Sequence, residues 1–149
     1  MSNINILIKK NYSDAQIPTQ GSQFAAGWDL YAYIPEGSVE INPLMTARID
    51  TGISIAIPNG WEGQIRPRSG LAANKNLSVL NTPGTIDSDY RGSIMVLLHN
   101  HGNRAQTIQH GDRIAQILFA PVPEVSWIET DSLSDTDRGE GGFGSTGTN

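Results

Sequence analysis

The sequence predicts an all-β domain with one short helix and a Gly-rich C-terminal tail. Three observations predict it. Apolar residues come in short runs, several with the two-residue period of a strand. Gly (16) and Pro (8) are spread along the chain and cut it at short intervals. No long stretch carries the 3.6-residue period of an amphipathic helix.

Ile4, Ile6 and Ile8 alternate with polar residues, the pattern of a half-buried strand. Leu30 to Ile34 is β-prone. Val39 to Ile41, Thr46 to Asp50, Ile53 to Ile57 and Trp61 to Arg66 follow, each bounded by Gly, Pro, Asn or Asp. Ser69 is expected to N-cap a helix of a turn or two reaching Lys75. Pro83-Gly84 reads as a tight turn in a hairpin. Ser93 to Leu98, Arg113 to Phe119 and Val125 to Ile128 complete the strands. Such spacing fits a sandwich, barrel or jelly roll. Asp131 to Asn149 is polar, then Gly-rich, with too little apolar content for a core.

A chain of 149 residues suits one domain. A domain of that size buries roughly 70% of its unfolded surface and folds without staples. With no cysteine, disulfide frameworks, thiolate zinc sites and thiol nucleophiles are excluded. A reducing compartment fits, and the lack of a leader pattern near Met1 makes the cytoplasm the expected location. The net charge of -5 argues against nucleic-acid binding, and no apolar run is long enough to span a membrane. A small phosphorylated ligand needs only a few placed cations and stays open.

Five segments carry chemistry. Ala26-Gly27-Trp28-Asp29-Leu30 sets one carboxylate beside a glycine. Pro67-Arg68-Ser69-Gly70 places a cation, a hydroxyl and open backbone N–H groups at a helix start, which by itself fits an ordinary capped turn with a surface Arg and also fits an anion-binding arrangement. Asn81 to Gly92 includes Asp87, a candidate general base, and Tyr90, a candidate platform for a sugar or base. Gly111-Asp112-Arg113-Ile114-Ala115-Gln116 turns into a strand, with Asp112 and Arg113 read as structural and Gln116 as a site residue. The tail, Arg138 to Gly147, matches GxGxxG at Gly139, Gly141 and Gly144. A dinucleotide fold is not expected there, because it needs a strand before and a helix after. No lysine precedes Ser145-Thr146, so a P-loop is not expected either. What remains is either a plain flexible tail or an arm able to clamp phosphates and stack on a ring. His99 and His101 share a strand face, but no third ligand is suggested, and His99, His101 and His110 read as turn histidines.

Together and in this order, the five segments closely resemble the motifs of the trimeric dUTPase family, from the first strand to the tail. The resemblance implies a jelly-roll-like β-barrel over residues 1–130 and a flexible arm over residues 131–149. It implies a homotrimer with active sites shared between subunits, the arm of a third chain closing over each. The implied reaction is hydrolysis of dUTP to dUMP and pyrophosphate with Mg2+, which limits uracil in DNA and supplies dUMP for thymidylate synthesis. Asp87 would orient and deprotonate the attacking water. Arg68, Ser69, Gly70 and Gln116 would hold the triphosphate. Asn81, with Gly84, Thr85 and Ile86, would read uracil. Tyr90 would pack under the deoxyribose and block a 2′-hydroxyl. Asp29 would support Mg2+ through its water. From the arm, Phe143 and Gly144 would cover uracil, while Arg138, Ser145 and Thr146 would hold the γ-phosphate. Ser93 and Thr82 depart from the common family pattern, with no functional loss expected. Two rivals share parts of this picture: a dCTP deaminase, which lacks this arm and uses a pocket Glu, and a non-catalytic nucleotide-binding barrel.

Overall fold

Twelve strands and one helix form in a computed structural model that describes residues 3–145 and 147. The first seven strands are β1 (Leu7–Lys10), β2 (Thr19–Gln20), β3 (Trp28–Tyr31), β4 (Ser38–Ile41), β5 (Thr46–Asp50), β6 (Ile53–Ala56) and β7 (Trp61–Arg66). After α1 (Ser69–Lys75) come β8 (Leu77–Val79), β9 (Gly84–Ile86), β10 (Met95–Asn100), β11 (Gln106–Gln109) and β12 (Arg113–Pro121). They pair in four antiparallel groups: β2-β3-β12-β7-β9, β5-β10-β8, β1-β6 and β11-β4. The fold is jelly-roll-like, and among the described residues the hydrogen-bond ladder does not close into a barrel. No helix among them is long and apolar enough to cross a membrane.

The alternation along the strands builds the core. Val96 and Leu98 of β10, Ile49 of β5 and Val79 of β8 point inward. Leu30, Ile65, Ala115 and Ile117 of the five-stranded sheet meet them in the same cluster. Each such Leu or Ile contributes about 1.5–3 kcal/mol by leaving water. Asn100, fully buried, is satisfied: its amide nitrogen donates to Ile41 O (2.9 Å) and Arg104 O (2.8 Å), and its oxygen accepts Gly102 N–H (2.9 Å). One polar side chain thus ties the end of β10 to β4 and to the following loop.

Several expectations change. The first strand starts at Leu7 rather than Ile4, because only Leu7–Lys10 finds a ladder partner, in β6. The strand expected over Leu30 to Ile34 is Trp28–Tyr31. Beyond it the backbone switches partners, with Ala32 N–H donating to Asp112 O and Tyr33 N–H to Asp50 O. The strand expected from Ser93 begins at Met95. Val125 to Ile128 forms no strand: the run has no pairing neighbour, and Val125, Trp127 and Ile128 are exposed. Ser69 is not the N-cap. Arg68 holds that position in extended geometry without a side-chain cap bond, and Ser69 is the first helical residue. Pro83-Gly84 does not join a hairpin either, since β8 pairs with β10 while β9 pairs with β7. His99 lies in β10 rather than a turn, 2.9 Å from the Thr46 hydroxyl, and His101 lies 2.7 Å from the Ser78 hydroxyl.

Candidate active site

Cross-strand register assembles the first half of the site. Asp29 of β3 stands opposite Gln116 of β12, and Gln116 opposite Arg66 of β7, so the three occupy one row. From the end of β7 the chain turns through Pro67 and brings Arg68 back onto this row. The Arg68 Nε donates to one Asp29 carboxylate oxygen at 3.0 Å, and Arg113 Nη1 lies 3.3 Å from the other. Arg68 also donates to the Arg113 carbonyl oxygen at 3.2 Å. Only 13% of the Asp29 side chain is exposed, so water screens these contacts less than at an open surface. Gln116 donates to Pro67 O at 2.9 Å and fixes the turn that presents Arg68. Gly27 permits this packing, because a Cβ there would overlap the Gln116 amide. At the start of α1, Ser69 and Gly70 are exposed, and their N–H groups precede any intrahelical acceptor.

The second half is the segment from Asn81 to Ser93. The Asn81 amide lies over Gly84, 3.1 Å from where a Cβ would stand. Gly84 is buried, Thr85 exposed and Ile86 packed against the core. Asp87 follows β9 and is exposed. Tyr90 N–H donates to Asp87 O at 3.1 Å, and Arg91 clips the same turn by donating to Ser88 O at 2.7 Å and Tyr90 O at 3.0 Å. Tyr90 is 41% exposed, and its hydroxyl donates to Ser93 O at 2.9 Å.

The two halves do not meet within one chain. Gly84 pairs with Ile65 and Ile86 with Gly63, so Asp87 emerges beside Glu62 while Arg68 lies past the opposite end of β7. At about 3.3 Å per residue, the strand from Glu62 to the Arg66 row, onto which Arg68 folds back, spans on the order of 13 Å. The arm stands apart from both. Among the described residues, hydrogen bonds from residue 123 onward close within that segment, as in Arg138 Nε to Gly141 O at 2.9 Å. Phe143 and Gly144 both have positive φ and are exposed, as is Ser145. Thr146 lies outside the described residues.

A family model described as dUTPase matches residues 13–147. The chain belongs to the dUTPase family. A "Deoxyuridine 5′-triphosphate nucleotidohydrolase" of Syntrophotalea carbinolica is 48% identical over 147 residues, covering 99% of each chain. One of Wolbachia pipientis subsp. Culex pipiens is 53% identical, covering 97% of this chain and 96% of its own. Among solved structures, a Staphylococcus bacteriophage 80alpha dUTPase with dUPNHPP superposes at a TM-score of 0.87 and 25% identity, covering 98% of this chain and 100% of that one. A dUTPase from S. aureus phage phi11 shares the fold at a TM-score of 0.79 and 20% identity, covering 89% of this chain and all of its own. That phage protein coordinates a structural Mg(II) ion.

Within this dUTPase fold, two sets of residues go beyond the sequence reading. Arg113, read as structural, reaches Asp29 from the far side of Arg68. Its position two residues before the inward Ala115 gave no sign of that partner. Asp50 and Ser93 form the second set. They are 43 residues apart, and nothing in the sequence joins them. Asp112, also read as structural, caps its turn by accepting Gln109 N–H at 2.9 Å.

Proposed function

We propose that this chain hydrolyses dUTP to dUMP and pyrophosphate at sites shared between the copies of a homotrimer. The observation that carries the shared site is the separation of Asp87 from Arg68 along β7. A base for water attack and a cation for the triphosphate cannot serve one α-phosphorus from opposite ends of a strand. A second copy, turned so that its Asn81–Tyr90 segment faces the first copy's Asp29–Arg68–Gln116 row, brings them together. Exposed apolar groups support assembly: Val125, Trp127, Ile128 and Leu133 project from the segment after β12. An apolar cleft of about 460 Å3, lined in part by Ile4, Ile6, Trp28 and Phe119, also lies open in the isolated chain.

In this reading Asp87 takes a proton from water as its oxygen bonds to the α-phosphorus. The bond from that phosphorus to the bridging oxygen breaks, and pyrophosphate leaves. Arg68, the N–H groups of Ser69 and Gly70, and Gln116 hold the triphosphate and meet the charge gathering on the leaving group. Asn81 with Gly84, Thr85 and Ile86 reads the uracil edge, and Tyr90 lies under the deoxyribose. The arm of a third copy, over residues 131–149, closes the pocket: Phe143 and Gly144 cover the base, while Arg138, Ser145 and Thr146 hold the γ-phosphate. Closure excludes water other than the nucleophile.

The donor set fits Mg2+ carried by the nucleotide. Among the described residues, no group of three or more His, Cys, Asp or Glu side chains gathers to hold an ion. The Asp29 oxygens are both engaged by guanidinium groups, which suits a contact through water better than direct ligation. Mg2+ keeps several waters and binds phosphate oxygens, so one nearby carboxylate suffices; bound there, it neutralises charge on the phosphates. A cysteine-free chain suits the cytoplasm, where we place it.

Pyrophosphate release from dUTP, with and without Mg2+ and beside dCTP, dTTP and UTP, tests the reading. Mg2+-stimulated release from dUTP alone is expected. Release of ammonia from dCTP would replace it with a deaminase, and binding of dUTP without turnover with a non-catalytic barrel.

A further inference from the structure

Tyr90 is anchored by residues outside the five motifs. Its hydroxyl donates to Ser93 O, and the Ser93 hydroxyl donates to the Asp50 carboxylate. The same Asp50 oxygen accepts Gly52 N–H at 2.8 Å. Asp50 ends β5, and its carbonyl oxygen accepts Tyr33 N–H at 2.7 Å. The next residue on each side is equally tied down. Ile94 N–H donates to Ile53 O at 2.8 Å, and buried Thr51 donates its hydroxyl to Ile94 O at 2.7 Å. A chain of bonds therefore runs from a partly exposed ring into the buried framework. Gly92 makes it possible: a Cβ there would overlap the Tyr90 hydroxyl, so the ring lies across this glycine to reach Ser93.

We propose that Asp50 and Ser93 are positioning residues for sugar selectivity, holding Tyr90 in the pose that excludes a 2′-hydroxyl. The inference rests on Tyr90 lying under the deoxyribose. A tyrosine has two side-chain torsions, and one bond at its tip restrains both. The ionised acceptor strengthens the link from Asp50 to Ser93. A ring left to swing would admit the extra oxygen of a ribonucleotide more readily than it would impair the deoxyribonucleotide. The loss should therefore appear in the ratio of the two substrates.

The test measures kcat/KM for dUTP and UTP on the full chain, with a melting curve for each variant. Ser93→Ala and Asp50→Ala should each lower the dUTP preference by roughly three- to tenfold, the scale of one hydrogen bond. Asp50→Asn keeps an acceptor oxygen and should retain most of the preference. Tyr90→Phe keeps the ring but loses its bond to the Ser93 carbonyl, which Ser93→Ala leaves in place and only loosens, so Tyr90→Phe should lower the preference at least as far, and the double variant should lose no more than Tyr90→Phe. Tyr90→Ala separates the two ideas. If it removes the preference while Ser93→Ala and Asp50→Ala retain it, the brace is overturned and the reading of Tyr90 stands. If Tyr90→Ala leaves the preference intact, that reading fails and the brace falls with it. Lower melting temperatures with unchanged preference would reduce Asp50 and Ser93 to structural residues and overturn the proposal.

Discussion

Asp87 has the freedom a general base needs: it follows the last residue of β9 and stays exposed in the isolated chain. Removing its basicity while keeping its shape should slow turnover without loosening the nucleotide. Asp87→Asn is expected to lower kcat by about 10²–10⁴-fold, the usual share of a general base. Titration with a non-hydrolysable dUTP analogue should show near-normal affinity. Turnover within a few fold of the parent would remove Asp87 from that role. Single residues of this kind are proposed from the motif segments that carry them in order. Their supports were not legible in the sequence. Arg113 meets Asp29 across 84 positions, and Asp50 meets Ser93 across 43, and only folding brings such partners together.

Among the elements, the strands with clear alternation were read well. Thr46–Asp50 and Trp61–Arg66 form with the expected bounds, because inward Ile49 and Ile65 alternate with outward polar neighbours. Strands of two to four residues were missed: Thr19–Gln20, Leu77–Val79, Gly84–Ile86 and Gln106–Gln109. Too few residues carry the period there, and long-range pairing defines them. The same cause hid the divergence of β8 and β9 into different sheets. One contact between elements makes a direct prediction. Gly27→Ala would drive a methyl into the Gln116 amide and detach it from Pro67 O. The cost should be about 1–3 kcal/mol of stability, with a raised KM for dUTP as the Arg68 turn loosens. A variant neutral in both melting and KM would show that this packing does not position the turn.

For the whole molecule, the isolated chain leaves three things unfinished: two half-sites on opposite ends of β7, an apolar run after β12, and an arm bonded only to itself among the described residues. The proposed trimer would answer all three. Truncation after Asp137 should leave a folded trimer, by light scattering and melting, with badly impaired hydrolysis. Full activity without the arm would show that closure is dispensable.

In the proposed trimer one copy supplies the base and another the phosphate-binding row. Co-folding Arg68→Ala chains with Asp87→Asn chains, each inactive alone, and assaying pyrophosphate release from dUTP by the purified mixed trimers tests it most directly. Every mixed cyclic trimer, of either composition, keeps both groups intact at one of its sites, so about a third of wild-type activity is expected. Mixed trimers no more active than either parent would mean that each site lies within one chain, and would contradict the account.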